Sequence, residues 1–228
     1  MKDWFAGDVA ARYDADTSDM DSEAVVAFLL PLAAGGALEL AIGTGRIAVP
    51  LAARGVRVAG IDLSPDMVAE LRKKTNAIPV ETGDMTTTRV DGEFSLVYIV
   101  FNSINNVTTQ DGQVAVFANA AAHLAPGGSF VVEVGTRNRQ PLTVFDLSDT
   151  HVGIDEYDHD TQKLVSHHFT LRDDRWERRS IPFRAVSPSE LDLMARLAGL
   201  ELVERWADWD RSPFTAESPK HVSVWRKR

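Results

Sequence analysis

The sequence predicts an open α/β sheet with an antiparallel β insertion after its fifth strand. Three observations predict it. Short apolar runs alternate with helical patterns from Ala37 to Val134. One run, Phe94–Phe101 (FSLVYIVF), is apolar on both sides, as a strand covered on both faces must be. After Gly135 the pattern changes to short, polar-alternating strands.

Taken in order, residues 1–19 are mixed and short of apolar residues apart from Trp4, Phe5 and Tyr13. Asp21–Leu32 places Ala24, Val25, Phe28 and Leu32 at helical spacing, and Pro31 with Gly35–Gly36 ends it. Ala37–Ile42 reads as a buried strand. Arg46–Ala53 reads as a helix in which Pro50 can introduce a kink. Val56–Ile61 is a second strand. Ser64–Lys74 is a helix with Ser64 as cap, Pro65 at its first position and Met67, Val68 and Leu71 inward. Ile78–Glu81 is a third strand and Phe94–Phe101 a fourth. A helix capped by Thr109 or Asp111 runs to Leu124, and Ser129–Val134 is the fifth strand. His151–Tyr157, Leu164–Leu171 and Trp176–Phe183 are the insertion's strands, within residues 136–186. Ser187, Pro188 and Glu190 form a capping box that opens a helix to Leu197. Leu200–Trp209 and His221–Arg226 can add a final antiparallel pair.

The chain of 228 residues suits one domain over residues 1–228. With 24 Lys+Arg against 33 Asp+Glu, the net charge is −9, which argues against a nucleic-acid partner. Absence of cysteine excludes disulfides, thiolate metal sites and cysteine nucleophiles. No stretch is apolar for long enough to span a membrane, and acidic residues stand where a signal peptide has its apolar run. A cytoplasmic location is the simplest expectation.

The strongest local signal is Glu39-Leu40-Ala41-Ile42-Gly43-Thr44-Gly45-Arg46 between a strand and a helix, followed by Asp62 at the end of the next strand. Gly43 and Gly45 lack a Cβ, so backbone can approach a ligand there. A carboxylate at Asp62 can accept both hydroxyls of a ribose. Three readings remain open on these residues: a dinucleotide site, a nucleoside-sulfonium site, and a tight turn without a ligand. A phosphate loop is excluded because no Gly-Lys-Ser/Thr follows. Glu39 separates the two ligands. An acid inside a buried strand needs a partner, and a cationic amino group supplies one where a pyrophosphate does not.

The segment LELAIGTGRIAVPLAARGVRVAGIDLSPDMVAEL strongly resembles the first two motifs of class I S-adenosylmethionine-dependent methyltransferases. VETGDM, FSLVYIVFNSINNV and HLAPGGSFVVEV continue the match in order, over roughly residues 10–135. Ala41 stands where that family frequently has glycine. The resemblance implies a doubly wound Rossmann-like sheet and S-adenosyl-L-methionine as cofactor. It implies that Gly43 and Gly45 line the methionine part beside Glu39, and that Asp62 holds the ribose, with Leu63 and Met67 near the adenosine. Asp84 would meet the adenine amino group, with Met85 on the ring and Phe101 closing the strand-four end. On its own chemistry, Asp84 can equally cap the Gly83 turn. Asp62 is expected to serve the ligand alone, so that its removal leaves the ligand-free fold unchanged.

Methyltransferases of small amines, including those that dimethylate amino sugars, are similar around Tyr13 and carry an antiparallel excursion after strand five. That likeness implies a small-molecule amine acceptor, with Tyr13 and Asn102 as the residues that orient it. Tyr13 can instead anchor the N-terminus through its ring. The strand-four exit lacks the Asn/Asp-Pro-Pro-aromatic signature of nucleic-acid base methyltransferases, a second argument against DNA and RNA. The insertion is open to three roles: lid, substrate wall or homodimer contact. No metal triad is evident, and no Asp–His pair is expected in the pocket; His151 and His159 can face a pocket but read first as structural or solvent-facing. O-methylation of a hydroxyl or carboxylate, and an S-adenosylmethionine-binding protein without transfer, are the alternatives.

Overall fold

A computed structural model of the chain describes residues 3–18, 20–136 and 140–228. The first three residues after the turn out of strand five, 137–139, fall at the start of the expected insertion and lie outside the described residues. The chain begins with helices α1 (Asp8–Asp16) and α2 (Ser22–Leu29). Then come β1 (Ala37–Leu40), α3 (Ala48–Ala53), β2 (Val58–Asp62), α4 (Pro65–Lys74), β3 (Val80–Thr82), β4 (Phe94–Ile99), α5 (Gln110–His123) and β5 (Leu124–Gly135). Four further strands follow: β6 (Leu142–Leu147), β7 (His151–Tyr157), β8 (Lys163–Arg172) and β9 (Arg175–Arg184). Helix α6 (Pro188–Leu197) and strands β10 (Leu200–Trp206) and β11 (Lys220–Lys227) complete it.

The main sheet has the order β10-β11-β5-β4-β1-β2-β3. β1, β2, β3, β4 and β5 run parallel, and β11 and β10 add antiparallel. Alternation along each strand divides the core in two. Leu38, Leu40, Val97, Ile99, Phe130 and Val132 point to the side packed by α5 and α6. Ala37, Leu96, Tyr98 and Val131 point to the side packed by α2, α3 and α4. Every residue of β1 and β2 is buried, which explains their continuous apolar reading. This is the doubly covered, Rossmann-like sheet expected.

Local chemistry sets the helix ends. Asp21, Ser64, Thr109 and Ser187 each accept a backbone N–H three residues on. Helix α3 starts two residues later than expected, so Pro50 falls in its first turn, where no N–H is needed. The capping box at Ser187 is only half made. Glu190 does not return to the cap; its carboxylate takes Arg184, Gln162 and Gln110 instead. Helix α1 was not foreseen. Its sequence has little apolar content, and it is held by contacts to α4: Gly7 N–H donates to Asp66 at 2.7 Å, and Asp14 pairs with Lys74.

β6–β9 form a separate four-stranded antiparallel sheet in sequential order. Three of its strands match expectation; β6 was missed, because a bulge between Val144 and Asp146 breaks its period of two. The insertion returns to the core through Arg184, which donates to Gln113 at 2.5 Å, Gln162 at 2.6 Å and Glu190 at 2.6 Å. The Arg184 and Glu190 side chains are only 6% and 13% exposed, so removing the cation strands a buried carboxylate. Arg184→Ala is expected to lower stability by about 3–5 kcal/mol in urea denaturation. A loss below about 1 kcal/mol would show that the insertion is anchored elsewhere.

Candidate functional site

The C-terminal ends of β1, β2 and β4 converge on one cavity, where open α/β sheets place their ligands. Asp62, at the end of β2, ties the converging loops together. Its Oδ2 accepts Gly43 N–H at 2.6 Å, its Oδ1 accepts Ser64 N–H at 2.8 Å, and its carbonyl accepts Gly83 N–H at 2.7 Å. Burial pushes the carboxyl upward from the ordinary range, and the Ser64 and Gly43 N–H groups oppose that shift. Each oxygen keeps further acceptor capacity beyond the N–H it already takes. The expectation that Asp62 has no structural work is therefore corrected.

The glycine loop turns through three positive φ angles: Ala41 at 61°, Gly43 at 57° and Gly45 at 78°. Ala41 adopts the left-handed region itself, so replacing the frequent glycine carries a strain on the order of 1–2 kcal/mol. Gly43 lines the cavity, and a Cβ there would stand 3.1 Å from Met67 Cε. Gly45 does not line it. A Cβ at Gly45 would stand 2.1 Å from Leu71 Cδ1, so this glycine lets the loop close onto α4.

Glu39 is 2% exposed and accepts the Tyr98 hydroxyl at 2.9 Å. Burial pushes its carboxyl up to about 8, against the pull of the Tyr98 hydrogen bond and the Arg46 charge. Tyr13 reaches the same cavity from α1; burial pushes its phenol up to about 12, so it stays a hydrogen-bond donor at neutral pH. Leu63, Met67, Asp84, Met85 and Phe101 also line the cavity. Asp84 Oδ1 caps its own turn through Thr86 N–H at 2.8 Å and the Thr86 hydroxyl at 2.7 Å, while the residue still faces the cavity. The turn role and the wall position coexist.

Beyond the end of β4 come two successive left-handed residues, Phe101 at φ 54° and Asn102 at φ 62°. Glu133 of β5 holds them. Its Oε2 accepts Phe101 N–H at 2.8 Å and its carbonyl accepts Asn102 N–H at 3.3 Å. Its Oε1 takes Trp209 Nε1–H at 3.0 Å and Lys220 at 3.1 Å. Asn102 turns away from the cavity. Its Oδ1 accepts Gly135 N–H at 2.5 Å, and the residue borders an adjoining groove instead.

That groove shares Phe5, Tyr13, Phe101, Ser103 and Asn106 with the cavity and is walled by the inner face of β6–β9. Asn106 Oδ1 is buried without a hydrogen-bond partner among the described residues. Sequence reading missed Asn106 as a junction residue, and it missed Arg46, Trp4 and Phe5 in the cavity wall. It also missed an Asp–His arrangement. Asp146, His151 and His168 line the groove and lie within hydrogen-bonding distance in series. His151 therefore faces the groove, contrary to expectation, whereas His159 is exposed on a turn beside Tyr157. Among the described residues no helix is long and apolar enough to cross a membrane.

Comparison with known proteins places the chain in a family. A family model described as a methyltransferase domain matches residues 37–128. The CcbJ methyltransferase from Streptomyces caelestis is 34% identical, with 94% of this chain and 96% of that one covered and a TM-score of 0.84. The dTDP-3-amino-3,4,6-trideoxy-alpha-D-glucopyranose N,N-dimethyltransferase of Streptomyces venezuelae is 35% identical over 100 residues, 44% of this chain. That match spans only 42% of the relative's length. The structure of Streptomyces venezuelae DesVI shares the fold at 21% identity, covering 96% of this chain and 98% of that one, with a TM-score of 0.75.

Asp62→Ala removes the acceptor for two buried N–H groups, each costing about 1–3 kcal/mol when unsatisfied. Ligand-free thermal unfolding is expected to shift downward by several degrees. An unchanged midpoint would return Asp62 to a purely ligand-facing role.

Proposed function

Because the chain belongs to the class I S-adenosylmethionine-dependent methyltransferases, we propose that it methylates the nitrogen of a small-molecule amine, with an amino sugar as the first candidate. The methyl donor is S-adenosylmethionine, which supplies, when bound, an electrophilic methyl on a cationic sulfur. The cavity fits it. Asp62 keeps acceptor capacity suited to ribose hydroxyls, and Leu63, Met67 and Met85 offer apolar surface to a purine. Asp84 offers an acceptor for an exocyclic amine, and Glu39 an acid for the methionine amino group. Gly43 leaves the cradle open where a side chain would narrow it. Gly45 serves this site only through the closure of its loop on Leu71.

The observation that carries the amine reading is Asn106. Asn106 lines both the cavity and the groove, its Oδ1 is buried without a hydrogen-bond partner among the described residues, and a rotation of the amide would present that acceptor to a substrate N–H. The N,N-dimethyltransferase relative supports the amino-sugar choice. Tyr13 and Phe101 stand at the same junction and would align the acceptor nitrogen while excluding water. Asn102 acts there as a shaping residue, since its amide is used by Gly135. The inner face of β6–β9 is a substrate wall in this reading. An O-methyltransferase is the second reading, favoured by the Asp146–His151–His168 series, because a hydroxyl needs a base more than an amine does.

Incubation with S-adenosylmethionine and a panel of free and dTDP-linked amino sugars, analysed by mass spectrometry and NMR, tests the proposal. N-methylated product is expected, and transfer confined to oxygen overturns it. A second outcome concerns Glu39. Raised to about 8, it is mostly protonated at pH 7, and a bound ammonium favours its carboxylate. Binding of S-adenosylhomocysteine should then release a proton. Affinity should weaken by up to about tenfold per pH unit below pH 8 and level off above it. Calorimetry in buffers of different ionisation enthalpy measures the release, and Glu39→Gln should abolish it. A pH-independent affinity in the unmodified protein would remove Glu39 from contact with the amino group.

A further inference from the structure

The groove-facing side of β6–β9 carries a series of side chains to which the N-methylation reading has so far given no role. Asp146 Oδ2 lies 2.5 Å from His151 Nδ1, His151 Nε2 lies 3.1 Å from His168 Nδ1, and His168 Nε2 lies 3.3 Å from Ser166 Oγ. Strand register brings them together. Gly153 of β7 stands opposite Asp146 on one side and His168 on the other, and Asp155 stands opposite Ser166. Gly153 makes the arrangement possible: a Cβ there would stand 2.3 Å from the Phe145 ring, and that ring packs edge-on against His168 at 5.4 Å between centroids. Among the described residues no group of three or more acids and histidines converges to hold a metal ion. These groups are strung in a line.

The line has a direction. An ionised carboxylate only accepts, so His151 donates from Nδ1, and in the neutral ring its Nε2 is then the acceptor. His168 must then donate from Nδ1, which leaves the lone pair on Nε2. The Ser166 hydroxyl donates to that lone pair over the longest distance in the series, a contact that a substrate N–H can replace. Exposure falls in the same direction: the Asp146 side chain is 49% exposed and that of His151 26%, while Ser166 is buried. The charged or titratable groups facing His168 are Asp146 from β6, His151 and Asp155 from β7, and Arg179 from β9. Burial, then Arg179 and His151, hold its imidazole below the ordinary value against the two acids, so the ring is neutral at pH 7.

Resting on the N-methylation reading, we propose that His168, held in one tautomer by His151 and Asp146, accepts the proton that a substrate ammonium must lose before methyl transfer. One substrate N–H bond breaks, and its electron pair stays on nitrogen as the lone pair that transfer requires. An Nε2–H bond forms on His168. The resulting imidazolium donates from Nδ1 to His151, whose own Nδ1–H is held by the Asp146 carboxylate, and it returns its extra proton to water as the product leaves. His168 is the catalytic residue; His151 and Asp146 are positioning residues.

Nitrogen-15 NMR of histidine-labelled, ligand-free protein tests the arrangement without any substrate. His151 and His168 are expected as Nδ1–H tautomers, with His168 titrating below the ordinary histidine range and moving lower in Asp146→Asn. An Nε2–H tautomer at His168, or a titration untouched by Asp146→Asn, overturns the proposal. Kinetics then test the role on the amine methylated in the panel above. His168→Gln should bind S-adenosylhomocysteine like the unmodified protein, lose about 10²–10³-fold in kcat/KM at pH 7, and recover to within a few-fold as pH reaches the acceptor's own pKa. His151→Gln should show the same pH-dependent loss to a smaller degree. A deficit equal at every pH marks a structural role and overturns the inference while leaving N-methylation intact. A panel with no methylated amine overturns the N-methylation reading, and the ammonium role with it.

Discussion

One buried carboxylate holds the site together. Asp62 joins the glycine loop and the start of α4 through two backbone N–H groups on its carboxylate, and the loop after β3 through Gly83 N–H on its backbone carbonyl. A carboxylate desolvated at the end of a buried strand is costly unless its lone pairs are occupied. The N–H groups occupy part of them, and the loops are fixed in return. The cavity walls at Gly43, Leu63, Ser64 and Gly83 therefore take their positions from a residue that also faces the cavity. In the proposed ligand complex, structure and recognition share this carboxylate, so they cannot be varied separately.

The strand-four exit depends on a second constraint. Two successive left-handed residues without glycine persist only when their surroundings over-determine them. Glu133 supplies that surrounding at Phe101 and Asn102, and the same carboxylate reaches the Trp209 indole and Lys220. The C-terminal segment before β11 is thereby coupled to the wall between the cavity and the groove. In the proposed reaction, this wall sets where an acceptor nitrogen sits, so residues far along the chain contribute to alignment.

The main sheet and most of the cavity were legible because their signals are local. Continuous apolar runs mark strands covered on both faces, and caps at Asp21, Ser64, Thr109 and Ser187 mark helix starts. The acid–glycine–acid order places Glu39, Gly43 and Asp62 together, since parallel neighbours β1 and β2 end side by side. Gly45 was legible as a required glycine but not in its purpose, which depends on Leu71 of α4, three elements on. Helix α1 was illegible because its own sequence barely supports it; Asp66, Thr44 and Lys74 hold it from outside. β6 was hidden by a bulge. The Asp146–His151–His168 series spans three strands, and only the hairpin register, with Phe145 over Gly153, brings it together. The half-made capping box has a similar cause: a buried Arg184 from the insertion outcompetes the local N–H for Glu190.

The account makes the strand ends a methyl-donor site and the adjoining groove an amine site, with Tyr13, Phe101 and Asn106 at their junction. A crystal structure with S-adenosylhomocysteine and an N-methylated amino sugar tests this most directly. The account predicts the ribose on Asp62, the amino group beside Glu39, the adenine between Asp84 and Met85, and the product nitrogen within hydrogen-bonding distance of Asn106 Oδ1. A homocysteine ligand outside this cavity, or a sugar bound away from the groove between Phe101 and β8, would contradict it.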